Sequence, residues 1–242
     1  MKTALISDIH GNLEALTAVL RDIEIQRVDN IHCLGDVIGY GADPGACLKL
    51  VSSNCDVILM GNHEYTALGL QSTSHYNEAA RQAIEWTQTM LSETDFATMA
   101  DFELDRLLDG FYIVHASPFE PERWHYVFSE TEAALAIKHL KSRLGFHGHS
   151  HVPVINSRTG DGPIRTRAAH TLNPAEDTHY LINVGSVGQP RDHDPRACYV
   201  IYDDDEQEIV YQRVEYDIET TQKKMTAVTL PEILVSRLAA GV

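Results

Sequence analysis

The chain contains 242 residues, of which 43% are hydrophobic and 22% are charged, values that are ordinary for one soluble, well-buried domain. Its formal net charge of −16 argues against binding to a nucleic-acid polymer through a basic surface, but it does not exclude a small phosphorylated substrate. No apolar run is long enough for a signal peptide or a membrane span. We therefore expect a cytoplasmic protein with no membrane partner.

The first quarter of the chain alternates predicted strands with predicted helices. Short apolar runs at 3–7, 31–34 and 57–60 predict three strands. Between them, leucine and isoleucine residues from 13 to 23 recur at helical spacing, and a proline-led segment at 44–53 predicts a second helix. This alternation is typical of a parallel sheet that is buried on both faces.

The rest of the chain contains a predicted helical insert at 74–101 and a predicted helical tail at 216–242. Between these segments the patterns predict a helix at 130–141 and strands at 111–114, 144–146, 152–156, 164–168, 180–184, 198–202 and 208–214. The later strands are joined by turns, which suits antiparallel pairs. We expect a single α/β domain over 1–242 with two sheets packed face to face, one mainly from the first 150 residues and one mainly from the rest.

Side chains that commonly bind metals follow the predicted strands, where each strand ends. An oxygen ligand and an imidazole two residues apart share a face of a strand and can bind one ion, and a carboxylate can bridge two ions. This mixture suits a pair of divalent transition ions and not a structural zinc, and such a pair points to phosphoester hydrolysis. The candidate ligands are Asp8, His10, Asp36, Asn62, His115, His149 and His151.

Each motif alone has an ordinary alternative interpretation. The alternative for Asp8 is a loop cap, for Gly35-Asp36 an ordinary turn, and for GHSH at 148–151 a histidine-bearing loop. Asn62 offers a neutral oxygen, and the adjacent His63 projects differently, so it is free to act as an acid. The ordered combination of DxH, GD, GNHE, VH and GHSH, each after a strand-like run, is what makes the metal hypothesis specific.

With these five motifs in this order, residues 3–200 resemble the calcineurin-like metallophosphoesterases, and most of all their small bacterial and archaeal phosphodiesterase-like members. The resemblance implies a four-layer α/β/β/α sandwich with mixed central sheets and two divalent metal ions, manganese first and iron or zinc as alternatives. It implies that a bridging hydroxide attacks phosphorus and that His63 protonates the leaving group. It implies a first ion on Asp8, His10 and His151, a second on Asn62, His115 and His149, and a bridging role for Asp36, which with His63 forms the catalytic pair.

Some positions depart from the family pattern. Protein phosphatases of the family carry GDxVDRG, whereas Gly39 and Tyr40 stand here at the later Asp and Arg positions, which argues against a protein phosphatase and leaves open what orients His63. Arg191 is the first candidate for gripping phosphate, with a plain salt bridge as the alternative role. Arg123 and His125, in a polar loop, are weaker candidates.

The leading hypothesis is therefore a metal-dependent phosphohydrolase. The resemblance implies a small phosphorylated substrate, which is a phosphomonoester, a phosphodiester or a dinucleoside polyphosphate, a set that includes nucleotide-type molecules. The alternatives are a non-catalytic metal-binding scaffold of the same fold and a protein phosphatase. The presence of all seven ligands and of His63 argues against a scaffold. The sequence contains no feature that indicates an oligomeric state.

Overall fold

The computed structural model describes residues 1–242, with the side chain of His75 outside the description. Its regular elements, in chain order, are β1 (Lys2–Ile6), α1 (Leu13–Gln26), β2 (Asn30–Cys33), α2 (Pro44–Asn54), β3 (Val57–Ile58), α3 (Asn62–Ala67), α4 (Glu78–Met90), α5 (Glu93–Ala100), β4 (Asp105–Leu107), β5 (Phe111–Val114), α6 (Glu130–Lys138), β6 (Leu144–His147), β7 (Val154–Thr159), β8 (Arg165–Ala168), β9 (Thr178–Asn183), β10 (Ala197–Asp203), β11 (Glu208–Val214), α7 (Ile218–Ala227) and α8 (Glu232–Ala240).

Two mixed sheets form the centre of the molecule. The first has the strand order β11-β10-β1-β2-β3, in which β1, β2 and β3 are parallel and β10 is antiparallel to β1. The second has the order β4-β5-β6-β9-β7-β8, in which β5, β6 and β9 are parallel. The carboxyl ends of the parallel strands are therefore available to gather the polar loops that follow them.

The predicted division of strands between the sheets is wrong in two places. β10 and β11 join the first sheet, although they come from the last third of the chain, and β4 to β6 join the second sheet. The register pairs Thr3 with Tyr202 and with Asn30, so β1 lies between a distant strand and a nearby one. Turn patterns predict that β10 and β11 pair with each other, but they do not specify which open sheet edge this hairpin extends.

Alternating side chains of β1 show how the layers form. Ala4 and Ile6 pack beneath α1 and α2 on the outer face of the first sheet, whereas Leu5 packs against side chains of the second sheet. Between the sheets, the rings of Phe111 and Tyr202 meet edge to face at 5.6 Å. On the far side, α6 covers the second sheet through residues such as Ile137. The order helix, sheet, sheet, helix is the predicted four-layer sandwich.

The segments predicted as a helical insert and a helical tail are in contact. Ala83 of α4 packs against Met225 of α7 and Leu234 of α8, and Tyr40 lies at the border of the same cluster. The helix predicted from residue 74 begins only at Glu78. Among the described residues, no helix combines the length and the apolar character that crossing a membrane requires.

Candidate metal centre

All seven predicted ligands lie within one buried group at the carboxyl ends of the parallel strands. None is more than 7% exposed. The ligand atoms of Asp8, His10 and His151 lie within 4.8 Å of one another, and so do those of Asp36, His115 and His149. The structure therefore brings together residues that are up to 143 positions apart in the sequence, as the motif order predicts.

Asp36 belongs to the second group and also lies close to the first. Its Oδ2 atom is 3.6 Å from His10 Nε2 and 3.4 Å from His115 Nε2. Asn62 Oδ1 is 3.3 Å from His115 Nε2, which places the amide oxygen with the second group. One carboxylate oxygen is thus within reach of both groups.

Five of the seven residues have a left-handed backbone. Their φ angles lie between 51° and 66°, in a region that costs roughly 1–2 kcal/mol for a residue other than glycine. Such strain persists only where the surrounding structure holds it, and it is concentrated at functional sites. The five are Asp8, His10, Asp36, His149 and His151.

Backbone carbonyls fix the orientation of three imidazoles. Each donates its Nδ1 proton to a carbonyl oxygen at 2.7 to 3.1 Å, so the Nε2 atom of each ring is directed toward the centre. Carbonyl–imidazole contacts of this kind accompany metal-binding histidines. The pairs are His10 with Ile38, His115 with Leu34 and His151 with Gln189.

The centre is chemically suited to cations. His10 Nε2 and His151 Nε2 are 3.0 Å apart, and two facing lone pairs repel unless a positive charge lies beside them. His149 Nε2 is buried and has no hydrogen-bond partner among the described side chains. Nitrogen and oxygen donors in this mixture fit divalent transition metals. The residues present therefore fit the metal ions that the motifs predict.

Burial and mutual repulsion set the charge of the group. Burial lowers the pKa of His10, His149 and His151 well below the ordinary value, so these imidazoles are neutral at neutral pH. Burial also raises the pKa of Asp8 to about 7. Burial acts to lower the pKa of His115, but the adjacent Asp36 carboxylate raises it to about 9. Without metal, protons on such residues partly balance the buried negative charge.

The sequence profile of the calcineurin-like phosphoesterase superfamily domain matches residues 1–207. The chain belongs to this family. An uncharacterized protein of Methanocaldococcus jannaschii is 39% identical over 243 residues, which cover 98% of this chain and 97% of that protein. A metallophosphoesterase of Sphaerobacter thermophilus is 38% identical, with a TM-score of 0.87 over 100% of this chain and 99% of that chain.

A hypothetical protein of Pyrococcus horikoshii shares the fold at only 16% identity, with a TM-score of 0.76 over 100% of this chain and 98% of that chain. The predicted sandwich and the predicted family are therefore confirmed. The protein is a phosphoester hydrolase of a family that depends on divalent metals.

In this phosphoesterase, packing holds His63 in place. Its backbone N–H donates to Asp36 Oδ1 at 2.9 Å, and its ring lies 4.7 Å from the ring of His10, 4.6 Å from Tyr40 and 5.3 Å from Tyr76. A Cβ atom on Gly39 would lie 2.1 Å from His63 Nδ1, and Gly39 has a φ of 88°. The rings of His10, Tyr40 and Tyr76 therefore orient His63, and the absence of a side chain at position 39 leaves space for it.

Glu64 is a functional residue that the sequence reasoning missed. Its buried carboxylate accepts hydrogen bonds from the backbone N–H groups of Asp36 at 3.0 Å, Ile38 at 3.0 Å and Gly61 at 2.9 Å. Burial, together with Asp36, raises the pKa of Glu64 to about 7. The carboxylate ties the loop of Asp36 to the start of α3, which carries Asn62 and His63. Its place inside GNHE was the available signal.

The segment that follows β9 ties two further ligand loops together. Asn183 Nδ2 donates to the Gly148 carbonyl at 2.6 Å and to Ser150 Oγ at 3.0 Å. Ser186 Oγ donates to the Asp8 carbonyl at 2.8 Å. Asn183 and Ser186 thus support the positions of Asp8 and His149.

Arg191 lies at the centre, as the sequence suggests. Together with Asp36, His63 and His149 it lines a cavity of about 120 Å³. Its Nη2 donates to Gln189 Oε1 at 2.7 Å, its Nε is buried without a partner among the described atoms, and no described carboxylate lies within 4.0 Å of its guanidinium. The alternative role in a plain salt bridge is not observed.

Arg123 and His125 are placed differently. Both pair with Glu120 in an irregular loop, at 3.7 Å and 3.0 Å respectively. The side chain of Arg123 is 63% exposed, whereas His125 is 43% exposed. They border a second, larger cleft beside the centre and not the 120 Å³ cavity itself.

Proposed function

We propose that this phosphoesterase hydrolyses a small organic phosphodiester with two divalent metal ions. The single observation that carries the proposal is the position of Asp36 Oδ2, at 3.6 Å and 3.4 Å from the imidazoles of two separate ligand groups. Asp8, His10 and His151 would hold one ion, and Asn62, His115 and His149 would hold the other. When bound, such ions polarise the phosphate and lower the pKa of water.

Manganese suits the donor set best, because carboxylate and amide oxygens stand beside the imidazoles, and iron or zinc would fit the same ligands. The carbonyl bonds to His10, His115 and His151 fix ring orientation before any ion binds. Glu64 fixes the loop of Asp36 relative to the start of α3, which carries Asn62. The centre is therefore preorganised for two ions.

His63 would supply the proton for the leaving oxygen. Burial lowers its pKa to about 4, although Asp36 acts in the opposite direction, so the imidazole is neutral at neutral pH in the absence of substrate. An anionic phosphate beside the ring would raise its pKa and favour the protonated form. General acid catalysis of this kind typically contributes 10²- to 10⁴-fold.

Arg191 would bind the non-bridging phosphate oxygens. The guanidinium of Arg191 is partly buried, its hydrogen-bond partner is a neutral amide, and its Nε donor is buried without a partner among the described atoms. Phosphate oxygens complement both features. The ring of Tyr40, 5.8 Å from the guanidinium carbon, supports its orientation.

The alternative functions are less compatible with the site. A protein phosphatase of the family has an Asp at the position of Gly39, but any side chain at Gly39 would overlap the His63 ring in this structure. A non-catalytic scaffold has no requirement for an oriented His63, or for an arginine at the centre whose buried Nε has no partner among the described atoms. Both features instead suit turnover of a small substrate.

The test measures metal content and hydrolysis together. Purified protein, loaded with manganese, would be assayed with bis-p-nitrophenyl phosphate, p-nitrophenyl phosphate and diadenosine tetraphosphate, with and without a chelator. We expect two manganese ions per chain and preferred turnover of a diester. His63→Ala should lower kcat by about 10²-fold or more while both ions remain bound.

A matched control is His170→Ala, because His170 is exposed and lies outside the centre. This variant should retain wild-type turnover. A protein that binds two ions and hydrolyses none of the three substrates would contradict the proposed activity. A protein that turns over the diester with a single bound ion would contradict the binuclear part of the proposal.

A further inference from the structure

A cleft of about 620 Å³ opens beside the metal centre, a size typical of sites for organic ligands. It shares Asn62, Tyr76, Tyr126 and His149 with the cavity that contains Arg191, so a molecule bound at the centre can extend into it. The shared residues include two of the predicted ligands for the second ion. The cleft therefore lies on the side of the centre where the second ion would bind.

One irregular loop, residues 119–128, supplies aromatic rings to the cleft. The Tyr126 ring stacks on His149, with centroids 4.0 Å apart and an interplanar angle of 24°. It also stacks on Phe128, at 4.8 Å and 11°. The Trp124 ring meets Tyr65 edge to face at 5.3 Å and lies 5.8 Å from the ring of His115.

The loop adopts an unfavourable backbone conformation to present these rings. Glu120 and Trp124, which flank a short 3₁₀ helix at Pro121–Arg123, have φ angles of 47° and 56°. A left-handed conformation is uncommon for a residue as bulky as Trp. Outliers of this kind concentrate at ligand sites, where surrounding contacts offset their cost.

Two further observations indicate that the cleft takes a ligand. Trp124 is only 7% exposed, and its buried Nε1 has no hydrogen-bond partner among the described atoms, although buried indole N–H groups usually have one. Conversely, Tyr126 is 42% exposed and Phe128 is 68% exposed, so two stacked rings remain open to a partner beside the centre. Exposed aromatic rings in this arrangement are typical of surfaces that stack flat groups.

The rim of the cleft is polar. Gln71, Glu122, Arg123 and His125 line it together with Leu70. These side chains offer both donors and acceptors, which suits a flat ring with polar edges more than an alkyl chain. The net charge of the rim is small, so the phosphate itself belongs at Arg191 and not in the cleft.

We propose that the 119–128 loop and Tyr65 form a binding site for a flat aromatic group, a nucleobase or an aryl ring, on the phosphodiester oxygen that does not depart, and that this contact determines substrate preference. The proposal rests on the proposed function, because it places the phosphate of the same molecule at the metal centre. Ring stacking should increase kcat/KM for an aromatic diester over its alkyl counterpart by about tenfold or more.

The test compares three diesters that share the p-nitrophenolate leaving group and differ in the other substituent, which is methyl, phenyl or thymidine. The readout is the ratio of kcat/KM for each aromatic ester to that for the methyl ester. Damage to the metal centre lowers all three values and cancels in the ratio. The phenyl and thymidine ratios distinguish a site for any flat ring from a site that recognises a nucleobase.

Tyr126→Leu removes the ring at similar volume, and Tyr126→Phe keeps it. We expect the aromatic-to-methyl ratio to fall toward one in Tyr126→Leu and to stay near the wild-type value in Tyr126→Phe. Leu107→Ala is the control, because Leu107 is 56% exposed and does not line the cleft. A wild-type ratio near one, or a ratio that Tyr126→Leu leaves unchanged, would overturn the proposal.

A binding measurement keeps this proposal separate from the proposed activity. The chain has two tryptophans, so Trp86→Phe leaves Trp124 as the only fluorophore of its type. In the manganese-loaded protein, adenosine monophosphate and phenyl phosphate should quench Trp124 fluorescence, and methyl phosphate should not. Quenching in a protein that does not hydrolyse the diesters would support the aromatic site and refute the proposed activity. Negligible quenching by all three ligands would refute the proposal that the cleft binds an aromatic group.

Discussion

The metal centre and the 119–128 loop lie side by side but are built in opposite ways. The predicted ligands are at most 7% exposed, and carbonyl groups fix three of their imidazoles. In the loop, Phe128 is 68% exposed, and the charged side chains pair only with one another at the surface. From this difference we infer that the metal centre carries out the chemistry and that the 119–128 loop selects the substrate.

This comparison leads to a division of effects. A substitution at the metal centre should lower turnover of every substrate or reduce the free energy of unfolding, because each side chain there supports several others. A substitution in the loop should change the ranking of substrates and leave stability nearly unchanged. The following changes test this division, starting with the largest expected effect.

Asp36→Asn should have the largest effect. The amide can still accept the bond from the His63 backbone N–H, but it lacks the charge on the oxygen that lies between the two ligand groups. We expect fewer than two bound manganese ions per chain and a loss of about 10³-fold in kcat/KM for every diester. Metal analysis and hydrolysis rates check this, with Asp161→Asn at a fully exposed position as the control. Retention of both ions and of turnover would refute a shared ligand.

Gly39→Ala should lower turnover without loss of metal. The new methyl group would overlap His63 Nδ1, so the imidazole must move from its place. We expect kcat to fall by about 10²-fold with two ions still bound. Gly110→Ala is a matched control, since Gly110 has nearly the same φ, 87°, but no atom within 4 Å of the added Cβ. Equal effects of both substitutions would show that backbone strain, and not His63, is responsible.

Glu64→Gln should reduce both stability and activity. The amide NH2 group cannot accept a hydrogen bond, so at least one of three backbone N–H groups loses its partner in a buried place. We expect the free energy of unfolding to fall by about 1–3 kcal/mol, measured by urea denaturation. Glu176→Gln, at an exposed position, should change it by less than about 0.5 kcal/mol. Unchanged stability would indicate that Glu64 does not hold the loops together.

His32 tests burial of an imidazole away from the metal centre. Burial lowers its pKa below the ordinary value of 6.5, although Asp56 acts in the opposite direction. Below pH 6.5 the unfolded chain therefore binds a proton that the folded protein excludes, and stability falls as the pH falls. Relative to His32→Phe, the wild type should lose up to about 1.4 kcal/mol per pH unit below 6.5. Parallel pH profiles of the two proteins would contradict the shift.

Phe128→Ala should have the smallest effect and should act on substrate preference alone. Its ring is mostly exposed and contacts Tyr126, not a predicted ligand. We expect about a threefold loss of kcat/KM for the phenyl ester, with no change for the methyl ester and a change in unfolding free energy below about 0.5 kcal/mol. Equal losses of kcat/KM for both esters would contradict the proposed division of roles between the metal centre and the 119–128 loop.

Local patterns predicted much of the fold. Apolar runs and helical spacing located β1, α1, β2 and α2, because burial on one or both faces leaves a periodic trace in the sequence. They missed α3, a six-residue helix whose first residues are Asn62 and His63. A helix this short shows less than two turns of periodicity, and its polar first turn faces the metal centre.

The seven predicted ligands, which are distant in the sequence, lie close together in the structure, since the ends of parallel strands meet at one edge of a sheet. The missed residues act through contacts that no local pattern contains. Gly39 leaves the space that the His63 ring occupies. Glu64 accepts hydrogen bonds from three backbone N–H groups on two loops. Neither contact follows from residue type or spacing alone.

The sequence by itself determined the family, the order of the five motifs and the alternation of strands with helices, because these depend on residue types and on short-range periodicity. Only the tertiary structure decided that β10 pairs with β1, 199 residues away at the Thr3 and Tyr202 register, and that Trp124 and Tyr126 line a cleft beside His149. Such choices depend on which sheet edges are open and on how a loop packs after the chain has folded, so they are settled by long-range contacts.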